Sequence, residues 1–89
     1  MAQAIVDPAE LRRFASQLKQ FNNNLRDNLT SLGGQLSGLG DSWRDQEHEK
    51  FLTEFQETMH VLTHFLEVSE EHLPLLVRKA EKVEEYLRR

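Results

Sequence analysis

His60 and His64 stand one helical turn apart, and Glu67 and Glu71 continue the same strip. Imidazoles at i and i+4 followed by carboxylates can chelate a divalent metal from one helix face. The strip lies opposite a leucine seam, where charged side chains belong on any solvated helix face, so it reads as solvated surface and not as a metal site. His48 and His72 lie too far along the chain to complete a ligand set. Catalytic chemistry finds less support. The Ser and Thr residues have no base in a recognisable frame. The glycines lack the Lys-Ser/Thr of a phosphate loop, and nothing gathers paired carboxylates into a concave pocket. No catalytic, cofactor-binding or metal-ligating residue is assigned, no cofactor is expected, and the chain is read as not an enzyme.

Composition narrows the field further. Eighty-nine residues make one small domain. The absence of Cys removes disulfides and thiolate zinc sites. A net charge of −4 argues against nucleic acid, since phosphate contact needs a basic face. No apolar run approaches the roughly 20 residues of a membrane span. The start MAQAIVDPAE lacks the basic and apolar regions of a signal peptide. The protein is therefore expected in the cytoplasm, or exported without a cleavable signal.

Two elements must position whatever the chain presents. Asp7-Pro8-Ala9-Glu10 has the residues of a helix start. Leu11, Phe14, Leu18, Phe21, Leu25, Leu29, Leu32, Leu36 and Leu39 then recur in steps of three and four, with one stutter from Leu25 to Leu29. Gly33, Gly34, Gly38 and Gly40 weaken the end of this helix, which is predicted over about 7–38 with a left-handed glycine cap. Asn22-Asn23-Asn24 is expected to face solvent. A turn over about 39–43 carries Trp43, and Asp41 or Ser42 is expected to cap the second helix.

That second helix is predicted over about 44–89. Its seam is Leu52, Phe55, Met59, Leu62, Leu66, Ser69, Leu73, Leu76, Ala80, Val83 and Leu87, widened by Phe51, Phe65 and Tyr86. Ser69 stands where Leu would stabilise more, and reads either as a register-setting polar residue or as a looser spot. Pro74 predicts a kink or break. Folding the chain back at about residue 41 sets Pro74 level with Pro8 and leaves 75–89 as an overhanging amphipathic tail. The whole is an all-α antiparallel helical hairpin, one domain over 1–89, whose apolar stripes call for a second hairpin to complete a four-helix bundle. Trp43 either plugs the turn where Leu39, Phe51 and Leu52 converge or is presented there as a partner contact.

A hairpin of this size, with Trp43 at the turn, Phe51 eight residues on and heptad leucines on both arms, resembles the WXG family of small proteins associated with type VII (ESX) secretion. The resemblance covers nearly the whole chain. The family's Trp-X-Gly is here Trp43-Arg44-Asp45, with Asp45 suited to the first turn of the second helix. It implies a non-enzymatic, ESAT-like interaction protein that acts as a homodimer or pairs with a related hairpin, and that meets the secretion machinery. Tyr86 begins the family's C-terminal Tyr-X-X-X-Asp/Glu signal, but Leu87-Arg88-Arg89 come next without the acid, so the expectation is either export with a signal-bearing partner or membership of a branch used for something else inside the cell.

Leu11, Phe14, Leu18, Phe21, Leu25, Leu29, Leu32 and Leu36 on the first arm are assigned to the pairing seam. Phe55, Met59, Leu62, Phe65, Leu66, Leu73 and Leu76 are assigned to it on the second. The alternatives are a structural coiled-coil adaptor unrelated to secretion, and an amphipathic membrane-surface protein acting through 75–89. The acidic residues of that tail count against the membrane reading.

Overall fold

The computed structural model describes residues 6–88. Two antiparallel helices, α1 (Pro8–Leu39) and α2 (Gln46–Leu87), make a rod of 67 × 21 × 15 Å. Forty-two residues at about 1.5 Å each give α2 roughly the length of the whole molecule.

Local chemistry sets the helix ends. The Asp7 carboxylate accepts from the backbone N–H of Ala9 at 2.9 Å, and Pro8 occupies the first turn, where its missing N–H leaves no bond unmade. α1 runs through Gly33, Gly34 and Gly38 to Leu39. It does not close with a left-handed glycine: Gly40 keeps φ at −60°, and no described residue has positive φ. The chain tightens instead. Gly40, Asp41 and Ser42 each donate to the carbonyl three residues back, and Trp43 N–H donates to Leu39 at 2.8 Å. α2 begins later than expected, and its cap is neither Asp41 nor Ser42. Asp45 takes the position, its carboxylate accepting from His48 N–H at 3.0 Å.

α2 then continues unbroken through Pro74. Four helical threonines, Thr30, Thr53, Thr58 and Thr63, donate to the carbonyl one turn back.

The core is the single line along which the helices touch. On α2 it follows Leu52, Phe55, Met59, Leu62, Leu66, Ser69, Leu73, Leu76, Ala80 and Val83, all buried or half-buried. On α1 the buried residues are Ala15, Asn22, Leu29 and Leu36, one heptad apart, with Leu11, Leu18 and Leu25 half-buried between them. Asn22 therefore does not face solvent. It is 1% exposed, and its Nδ2 donates to the Ser69 hydroxyl at 2.8 Å across the interface. The Asn finds its place because it falls on the heptad of inward positions, and a hydroxyl waits opposite.

The pairs Asn22–Ser69 and Gly33–Met59 put the fold-back point near residue 46 instead of 41. The C-terminal segment is consequently no overhang. Ala80 is fully buried and Val83 nearly so, and Glu84 meets Arg12 on the second turn of α1. Only the last residues project: Tyr86 and Leu87 are exposed, so Leu87 drops out of the seam. Arg89 and residues 1–5, on which part of the tail and leader readings rest, lie outside the described residues.

Candidate partner-binding face and turn

The first helix divides its apolar residues between two jobs. Phe21 precedes buried Asn22 by one position, about 100° round the helix, while Arg26 comes four positions after it, about 40° the other way. Phenylalanines and arginines thus flank the seam on opposite edges. On one edge Arg12 grips Glu84 with two parallel hydrogen bonds, Nε to Oε2 at 2.9 Å and Nη2 to Oε1 at 2.8 Å, and Arg26 pairs with Glu70. The hydrogen bond and the charge of Arg12 hold the Glu84 carboxyl below its ordinary range against a desolvation that opposes them, and Glu84 raises Arg12 in return.

The other edge is apolar and open. Phe14 is 55% exposed, Phe21 53%, Phe65 43% and Leu75 52%. Phe21 and Phe65 meet edge to face with ring centroids 6.1 Å apart, tying the two helices together at the surface. Beside them a groove of about 720 Å³ runs between Phe14 and Leu18 on α1 and Phe65, Val68, Leu75 and Leu76 on α2. Its polar lining is Ser69 and His72, and among the described residues no Asp, Glu, Lys or Arg lines it. Exposed Leu32, Leu39 and Phe51 carry the apolar row on to the turn.

The turn itself is an aromatic stack. The Trp43 ring is half-buried, 5.1 Å from His48 and 5.6 Å from Phe51, and Phe51 stacks on Phe55 at 5.5 Å. Trp43, Asp45 and Phe51 are thereby brought to one place. Asp45 starts α2 so that His48 and Phe51 rise on the side toward the indole. The Trp43 ring lies against His48 and Phe51 at the hairpin end and keeps part of its surface exposed.

The seam residues separate into two groups. Leu11, Leu18, Leu25, Leu29, Leu36, Phe55, Met59, Leu62, Leu66, Leu73 and Leu76 lie along the contact between the helices. Phe14, Phe21, Leu32 and Phe65 stand outside it, on the open edge. His60, His64, Glu67 and Glu71 are exposed on α2, and among the described residues no group of three or more His, Asp or Glu is placed to hold a metal.

Sequence reasoning missed Asn22 and His48. The heptad from Ala15 through Asn22 to Leu29 and Leu36 was there to find the first. One more step of four back from Leu52 would have found the second. His48 also sits against Gly40, where an added Cβ would come within 4.0 Å of its ring, and its Nε2 is buried with no hydrogen-bond partner among the described residues.

Comparison with known proteins agrees with this geometry. Residues 3–86 match the family model WXG100, described as proteins of 100 residues with WXG. No curated protein sequence matches. Among solved structures, the secreted protein EsxB of Bacillus anthracis strain Sterne is similar. Its wild-type form is 25% identical, with 94% of this chain and 97% of that chain covered and a TM-score of 0.75. A glycine-to-alanine mutant of EsxB is also 25% identical, with 96% and 98% covered and a TM-score of 0.74. Among the described residues, no helix is long and apolar enough to cross a membrane.

Proposed function

This chain belongs to the WXG100 family, and from that premise we propose that it is a non-enzymatic, secretion-associated hairpin whose phenylalanine edge docks a second hairpin, its own copy or a relative, to form a four-helix bundle. The observation that carries the reading is the continuous open edge of Phe14, Phe21, Phe65 and Leu75 around a groove without charged lining. Half-exposed rings in a row are more apolar surface than a two-helix rod keeps in water without a partner. Export is supported by the fold shared with a protein described as secreted.

The membrane-surface alternative loses ground because the apolar stripe of the C-terminal segment is already covered: Ala80 and Val83 face α1. The coiled-coil adaptor alternative shares the docking face and differs in destination. Light scattering across a dilution series tests the docking. A mass holding at twice the 10.4 kDa chain is expected for self-pairing. A mass that stays at one chain, with or without a related hairpin added, would refute it. Appearance of the protein outside cells with an intact secretion apparatus, and its loss when the apparatus is disabled, separates the secretion reading from the adaptor.

A further inference from the structure

The apolar seam fixes which faces meet but leaves open how far one helix slides along the other. Both arms repeat their leucines every three or four residues, so a shift of one heptad sets Leu on Leu again. The turn is a weak ruler. Gly33, Gly34, Gly38 and Gly40 crowd the last turns of α1, where each glycine makes unwinding easier by the backbone freedom it regains. A fold-back about residue 41 satisfies the leucines, and the molecule nevertheless folds about residue 46.

What separates the registers is the buried polar pair. In the observed register Asn22 Nδ2 meets Ser69 Oγ at 2.8 Å, with the residues 1% and 5% exposed. One heptad either way, Asn22 would face Leu62 or Leu76, and Ser69 would face Ala15 or Leu29. Both polar groups would then be buried unpaired, and each disfavours the slipped state by about 5- to 150-fold in population. Among the described residues Asn22 Oδ1 has no hydrogen-bond partner. Leucine at both positions would bury more apolar surface and distinguish nothing.

We propose that Asn22 and Ser69 are positioning residues that lock the axial register of the hairpin and so assemble the docking edge. Phe21 lies beside Phe65, and Phe14 shares a groove with Leu75, in this register. A one-heptad slip moves the α1 phenylalanines roughly 10 Å along α2 and dismantles the edge. The consequence for docking rests on the pairing reading above, whereas the register lock stands on the hairpin alone.

The chain has no Cys, so spin labels can be placed at will. Q20C and E54C, on exposed positions about 25 Å apart along the axis in the observed register, report the register, with labelled chain diluted into excess unlabelled chain. The parent chain should give one narrow distance. N22L/S69A, close in shape and apolar, should add a second population displaced by roughly 10 Å. The exchanged pair N22S/S69N, which keeps one amide and one hydroxyl, should restore the single distance. A single unshifted distance in N22L/S69A would overturn the proposal, because the turn and the ion pairs Arg12–Glu84 and Arg26–Glu70 would then suffice, and so would failure of N22S/S69N to restore it. If the parent chain never pairs in light scattering, the docking reading fails, while the distance result still decides the register lock.

Discussion

Phe21→Ala tests the docking edge most directly. The ring is 53% exposed in the single hairpin. A phenylalanine carries about 150–250 Å² of surface, so about 100 Å² remains for a partner to cover. At about 25 cal/mol/Å² that is about 2.5 kcal/mol, or a factor of about 60 in the dissociation constant for each copy in which the ring is docked. Imperfect coverage and the costs of association reduce the figure, so a loss of at least about tenfold is the expected result. The substitution also removes the edge contact with Phe65, which lowers the stability of the hairpin itself by about 0.5–1.5 kcal/mol. Helix content must therefore be followed by circular dichroism alongside the mass. Lys19→Ala is the control: Lys19 lines a separate groove with Arg12 and Pro74, and should leave association within about twofold. A dissociation constant for folded Phe21→Ala within about threefold of the parent would refute the assignment of this edge to pairing.

Four further outcomes are expected from the geometry. Gly34→Ala and Gly38→Ala place a Cβ where nothing lies within 4 Å, in a helix with no positive φ, so each should stabilise α1 by about 0.8–1 kcal/mol in thermal melts at fixed protein concentration; destabilisation would place that end of α1 outside a helix. Asp45→Ala should lower stability by about 1 kcal/mol through loss of the cap on His48 N–H, whereas Asp45→Gly, which restores the family triplet, should cost only a few tenths of a kcal/mol in denaturant titrations. Trp43→Ala removes the ring between His48 and Phe51 and should raise amide exchange over the turn and the first turns of α2, with the open end of the rod unchanged. Glu84 has a lowered pKa, so its contribution is present above the ordinary value of 4.5 and is lost as pH falls through the lower folded value; exchange protection near Ala80 and Val83 should fall on acidification in that range, and Glu84→Gln should abolish this dependence.

Much of the molecule was legible in its residues because helical periodicity is a local property. Asp7-Pro8 at one start, the three- and four-residue steps of α2 and the tryptophan between two apolar repeats fixed the hairpin, the inward face of α2 and the placement of Trp43 near Phe51. Pro74 does not break α2, because a long helix held along its whole length by a neighbour tolerates one missing backbone bond.

The sequence by itself determined two helices, a turn and the face that α2 would bury. Only tertiary structure decided the axial offset between them. From that offset came the burial of Ala80 and Val83 and the grip of Arg12 on Glu84. The reason is physical. A repeating apolar pattern specifies an angle round each helix and is degenerate in translation, whereas the polar contacts that lift that degeneracy join residues 47 and 72 positions apart, and no local pattern contains both partners.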